Sequence, residues 1–109
     1  SFGDRVLQDV AAVLRDNTRT DDMVARWGGE EFLILLPNTD AAGGGILAEK
    51  LRARVEALSN NYPEDVKISI SFGVAEGNPA AAAHSQLLAE ADARMYRAKN
   101  GGRNQVVAD

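Results

Sequence analysis

The chain has 109 residues, 45% hydrophobic and 26% charged, which fits one small globular domain with a single core. Twelve basic residues against sixteen acidic ones leave a net charge of −4, arguing against a general nucleic-acid-binding surface. The absence of cysteine excludes a disulfide framework and a thiolate metal site, and no apolar run reaches membrane-spanning length.

Residues 4–16 carry Val6, Leu7, Val10, Ala11 and Leu14 at helical spacing, with Asp4 placed to cap free backbone N–H groups at the start. The helical pattern begins almost at residue 1, so the chain is expected to start inside a domain. Asn17-Thr18-Arg19-Thr20-Asp21-Asp22 is a polar connection into an apolar run that ends at Trp27. A second run, Phe32-Leu33-Ile34-Leu35-Leu36, is apolar throughout, as expected of a strand buried on both faces. Gly28 and Gly29 lie between the two runs and supply the positive φ angles of a tight turn, which predicts a β-hairpin.

Pro37-Asn38-Thr39-Asp40 ends the second strand. Residues 41–59 predict a helix with Leu47, Leu51, Val55 and Leu58 on one face and Glu49, Lys50, Arg52 and Glu56 elsewhere. Over residues 66–74, Val66, Ile68, Ile70, Phe72 and Val74 alternate with Lys67, Ser69, Ser71 and Gly73, a period-2 strand with one face toward the core. Residues 85–100 form a last helix that buries Leu87, Leu88, Ala91 and Met95. Gly101-Gly102 offers a left-handed stop, and Arg103 to Ala108 reads as a short final strand. The order helix, strand, strand, helix, strand, helix, strand implies an α/β (α+β sandwich) fold, a mixed, mainly antiparallel sheet with helices packed on it.

The hairpin turn carries the most specific chemistry. Glu30 and Glu31 follow the glycines directly, and adjacent carboxylates repel unless a cation sits between them. Bare glycine backbone also lets a bulky ligand approach closely. With its flanks, Arg26-Trp27-Gly28-Gly29-Glu30-Glu31-Phe32 resembles the signature of GGDEF domains, the diguanylate cyclases, in the GGEEF spelling. Three other segments resemble the same family: Gly3-Asp4 with Leu7, the strand Ser69 to Ala75, and the block from Ala91-Asp92 through Tyr96, Ala98 and Lys99 to Arg103-Asn104. Order and spacing agree along the whole chain.

The resemblance implies a nucleotidyl-cyclase, ferredoxin-like domain over residues 1–109, lacking the opening strand and first helix. It implies that two GTP molecules are joined into cyclic di-GMP with release of two pyrophosphates, in a homodimer, with Mg²⁺ or Mn²⁺. Glu30 matches the metal-binding position that helps deprotonate the 3′-hydroxyl, and Glu31 is a neighbouring metal contact. Gly28 and Gly29 let the turn lie against the nucleotide. Asp4 matches the guanine-reading carboxylate, with a helix cap as its ordinary reading. Lys99 and Arg103 match contacts to the GTP phosphates, although cations at a helix end are favoured by its dipole in any case.

Arg19 and Asp22 match the family's product-inhibition motif, for which a loop salt bridge is the plain alternative. Lys50 stands where a further arginine is common, and Arg26 is grouped with them as an expected cyclic di-GMP contact. Asp92 and Tyr96 read as structural, His84 as an exposed residue at a helix start, and Trp27 as a packed hairpin aromatic. The expected setting is cytoplasmic, with a sensory or dimerising domain upstream, no nucleic-acid partner and no direct membrane insertion. Alternatives are an inactive module that senses GTP or cyclic di-GMP, and a purely structural dimerisation domain. Residues 1–109 alone are expected not to make cyclic di-GMP, because the principal partner acid of Glu30 belongs to the opening strand.

Overall fold

The apolar repeat of the first segment forms helix α1, Phe2–Asp16, in a computed structural model that describes residues 2–28, 31–77 and 84–109. Val10 and Leu14 of α1 are buried. Asp4 falls within the first turn rather than before it, so it is not the residue that caps the helix. At the other end, Thr18 Oγ1 donates to the Leu14 carbonyl at 3.0 Å and Asn17 Nδ2 to the Val13 carbonyl at 2.8 Å, satisfying acceptors that the last turn leaves open.

Strands β1, Met23–Gly28, and β2, Glu31–Leu35, pair antiparallel as the expected hairpin. Their register sets Met23 against Leu35, Val24 against Ile34, Arg26 against Phe32 and Gly28 against Glu31, with an irregularity between Arg26 and Gly28. β2 is not buried on both faces. Phe32, Leu33 and Ile34 are half-buried and Leu35 is 42% exposed, because β1 is the one ladder partner of β2 among the described residues.

Helix α2, Ala41–Ala57, starts at Asp40, whose carboxylate accepts the Gly43 N–H at 2.8 Å. Glu76, from far along the chain, accepts the Ala41 N–H at 2.6 Å. α2 ends two residues earlier than expected and continues as a 3₁₀ turn, Leu58–Asn61. Leu51 and Val55 join Val10, Leu14, Tyr62 and Ile68 in the core. Tyr62 donates its hydroxyl to Asp9 of α1, and the Arg5 guanidinium lies 5.2 Å from its ring centroid.

The long strand expected over 66–74 contracts to β3, Phe72–Gly73. The alternation survives in burial, since Ile68 is buried while Lys67 and Ser69 are exposed. What is missing among the described residues is a ladder partner. Ser59 Oγ takes that role at Ile68, accepting its N–H at 2.8 Å and donating to its carbonyl at 3.2 Å. β3 pairs parallel with β4, Val106–Val107, so among the described residues the mixed strand directions fall in two two-stranded sheets rather than one. The last strand is shorter than 103–108 because Arg103 and Asn104 adopt positive φ, 61° and 49°.

Helix α3, His84–Asn100, packs on β3. Its most buried position is Ala98, whereas Leu87, Leu88, Ala91 and Met95 are half-buried. Tyr96 is 64% exposed and does not serve the core. Among the described residues no helix is long and apolar enough to cross a membrane.

Candidate functional site: two cavities and a braced turn

Helical periodicity lines Asp4, Leu7, Gln8, Ala11 and Arg15 along one face of α1. Strand periodicity puts Val24 and Arg26 on one face of β1, with Phe32 opposite Arg26 in register. These side chains line a half-open cavity of about 430 Å³ between α1 and the hairpin. That volume lies in the usual range for small-molecule sites, roughly 300–1,000 Å³. Asp4 sits at the N-terminal end of the cavity's helical wall and Arg15 at the other end, so an acceptor and cations share one space.

A second cavity, of about 560 Å³, lies between the α1–β1 connection and α2. Arg19, Asp22 and Lys50 converge here, with Asp16, Thr39, Leu47 and the 74% exposed Ile46. Arg26 does not join them; it lines the first cavity, because strand alternation turns it to the α1 side. Asp22 does not pair with the Arg19 guanidinium. Its carboxylate accepts the Arg19 backbone N–H at 2.7 Å, while its own N–H donates to the Arg19 carbonyl at 3.1 Å. Among the described residues no ion pair engages Arg19, which leaves an exposed planar fork beside the cavity.

Lys99 and Arg103 stand at and just beyond the end of α3 and line neither cavity. The helix closes with the Gly101 N–H on the Arg97 carbonyl at 2.8 Å and the Arg103 N–H on the Ala98 carbonyl at 3.0 Å. The left-handed stretch runs through Gly102, Arg103 and Asn104, with φ of 121°, 61° and 49°. For the two side-chain-bearing residues such a conformation costs on the order of 1–2 kcal/mol each. Asn104 is held in it by several bonds. Its N–H donates to Ser71 Oγ at 3.0 Å, its side-chain oxygen accepts from Arg52 Nη1 at 3.0 Å, and its amide nitrogen donates to Glu56.

Arg52 is itself gripped by Glu49, which accepts from Nη2 at 2.6 Å and from Nε at 2.9 Å. These bonds from Arg52 hold the Glu49 carboxyl below its ordinary value, and Glu49 in turn raises the guanidinium. The Arg52 side chain is 17% exposed, so α2 carries a cation largely withdrawn from water. The i, i+3 and i, i+4 spacing of Glu49, Arg52 and Glu56 was a visible sign of the pairs within α2, while the bond to Asn104 had none.

Glu31 is half-buried at the first position of β2. Gly29, Glu30 and the side chains of Trp27 and His84 lie outside the described residues. Among the described residues no group of three His, Cys, Asp or Glu side chains could hold a metal ion. Gln8 and Arg15, which sequence patterns alone did not single out, line the first cavity through their spacing from Asp4.

The fold and these cavities define an α+β domain organised around a Gly-Gly-Glu-Glu-Phe hairpin. Residues 1–105 match the family described as "Diguanylate cyclase, GGDEF domain", and the chain belongs to that family. It is 38% identical over 105 residues to diguanylate cyclase A of Treponema denticola, covering 95% of this chain and 28% of that protein. It is 42% identical over 111 aligned residues to diguanylate cyclase DgcM of Escherichia coli K12, covering 99% of this chain and 26% of the relative. The chain thus spans less than a third of the length of either relative. Among solved structures, the GGDEF domain of DgcB from Caulobacter crescentus in complex with c-di-GMP superposes with a TM-score of 0.84 at 34% identity, over 97% of this chain and 64% of that one.

Proposed function

We propose that this chain is part of the catalytic domain of a diguanylate cyclase, which condenses two GTP molecules into cyclic di-GMP in a homodimer. The observation that carries this reading is the cavity bearing Asp4 directly against the hairpin with the Gly-Gly-Glu-Glu-Phe sequence. A carboxylate there can accept both the N1–H and N2–H of guanine, a donor pair that adenine lacks. Arg15 from α1 and Arg26 from β1 supply positive charge on opposite walls of the same cavity. Lys99 and Arg103 would neutralise the phosphates.

In the reaction the 3′-oxygen of one GTP forms a bond to the α-phosphorus of the other. The bond from that phosphorus to the bridging oxygen breaks, pyrophosphate departs, and the hydroxyl proton passes to Glu30; the reciprocal attack between the same two nucleotides closes the ring and releases the second pyrophosphate. A divalent ion fits the donor chemistry of the turn, since Mg²⁺ commonly takes one or two carboxylates together with substrate phosphates and water. Glu30 and Glu31 would hold it, and when bound it would offset the charge that develops on the phosphates.

We also propose that the second cavity binds cyclic di-GMP as an inhibitor. Arg19 presents a planar fork to phosphate or a guanine edge, Asp22 an acceptor, and Lys50 a point charge. The cyclic di-GMP complex of the related DgcB domain supports this reading.

The test is to incubate the complete protein with GTP and Mg²⁺, separate the products by chromatography and follow pyrophosphate release. Cyclic di-GMP should form, and Asp4→Asn should lose the preference for GTP over ATP. Binding of cyclic di-GMP without any synthesis would instead establish a sensor.

A further inference from the structure

We infer that Arg52 and Asn104 act as positioning residues, a brace from α2 that fixes where Arg103 points. The inference rests on the reading of Arg103 as a phosphate contact and adds residues to which no role in the reaction has been assigned. Arg103 is exposed and sits at φ 61°, between Gly102 at 121° and Asn104 at 49°. A single left-handed residue can end a helix; three in succession define a rigid reversal that needs support from outside. The helix side of the turn is supported by its own backbone, through the Arg103 N–H to Ala98 and the Gln105 side chain to the same carbonyl at 2.8 Å.

Beyond it, the Gln105 carbonyl accepts the Phe72 N–H at 2.9 Å, and the remaining support of the turn comes through Asn104. Its backbone is tied to Ser71 just before β3, and both ends of its amide are tied to α2, at Arg52 and Glu56. Asn104 therefore receives a fixed orientation from two separate parts of the fold, α2 and the segment before β3. Arg103, one residue away, has its backbone held on either side while its side chain stays in solvent. An arginine on a fixed backbone samples fewer positions than one on a mobile loop, and phosphoryl transfer depends on such placement. Arg52 suits the brace because its guanidinium has separate donors for Glu49 and Asn104, which a lysine could not direct in the same plane.

The experiment uses the complete protein and compares Asn104→Gly, Arg52→Lys, Glu56→Gln and Arg103→Ala. Glycine tolerates the positive φ of position 104, so Asn104→Gly keeps the turn available while removing its side-chain bonds. Asn104→Gly should raise KM for GTP about tenfold, with kcat changed by less than about threefold. Glu56→Gln keeps an acceptor for the Asn104 amide and should stay near the parent, while Arg52→Lys should fall between. Adding Asn104→Gly to Arg103→Ala should cause no further rise, because the brace acts through Arg103. Cyclic di-GMP affinity, read by calorimetry at the second cavity, should be unchanged in each folded variant. An unchanged KM in Asn104→Gly, or a full additive effect on the Arg103→Ala background, overturns the inference while leaving the phosphate reading intact. An unchanged KM in Arg103→Ala itself removes the phosphate reading and the brace together.

Discussion

Gly73 and Ala91 lie so close that a methyl group on Gly73 would stand 2.1 Å from the Ala91 carbonyl oxygen. The same methyl would meet the Met95 nitrogen at 2.2 Å, so the obstruction is helix backbone and cannot swing aside. β3 and α3 touch main chain to main chain, and this contact sets the height of α3 over the β3–β4 pair. Gly73→Ala should therefore destabilise the protein by about 3 kcal/mol or more, the upper end of overpacking costs. Urea unfolding measures it, and an unchanged midpoint would show that the helix can shift freely.

Glu30→Gln should reduce cyclisation in the complete protein by about 10²–10⁴-fold, the usual contribution of a positioned base. An amide is a poor ligand for a hard cation and cannot accept the hydroxyl proton. Pyrophosphate release should fall while circular dichroism stays the same. Near-normal turnover in a folded variant would refute the assigned role.

Arg19→Ala should weaken cyclic di-GMP binding by roughly 10–100-fold, as expected for charge-assisted hydrogen bonds worth about 1.5–3 kcal/mol. Because the Asp22 carboxylate bonds to the Arg19 main chain, the loop should keep its shape when the arginine side chain is removed. Initial turnover should persist, and product should no longer slow the reaction. Equal calorimetric affinity in parent and variant would show that this cavity does not bind the product.

Tyr62 provides a pH test. Its hydrogen bond to the Asp9 carboxylate raises the phenol above its ordinary value, burial adds to the rise, and Arg5 opposes it. An acid with a raised folded-state value contributes stability that is complete below its unfolded value, near pH 10. That contribution is lost as pH climbs through the folded value. Between about pH 8 and about pH 11 the parent should lose more stability than Tyr62→Phe, whose ring does not ionise. Parallel losses in the two proteins would rule out this coupling.

Much of the architecture was legible because it depends on local periodicity. The spacing of Val6, Val10 and Leu14 announces α1, and Gly28-Gly29 between apolar runs announces the hairpin. Residues 66–74 mark the limit. Alternation reveals which side chains face inward, but not what the backbone bonds to, and at Ile68 the partner is the hydroxyl of Ser59. That Arg26 lines the first cavity, apart from Arg19 and Asp22, was not legible for a similar reason, since its direction follows from hairpin parity and the position of α1. Lys50 was placed beside Arg19 and Asp22 only through family resemblance. The bond between Arg52 and Asn104 spans 52 positions, and no pattern in either segment foretells it.

The first turns of α2 contain Gly43, Gly44 and Gly45 in succession, and Gly43 lines the second cavity. Each glycine costs about 1 kcal/mol of helix propensity relative to alanine, so this wall is the least self-sufficient part of α2. The Asp40 and Glu76 carboxylates hold it from outside the helix. Amide hydrogens in these turns should exchange with solvent sooner than those near Leu51 and Val55, which face the core. A molecule settling against such a wall should slow exchange in these turns, and the slowed exchange would report occupancy without any change of shape.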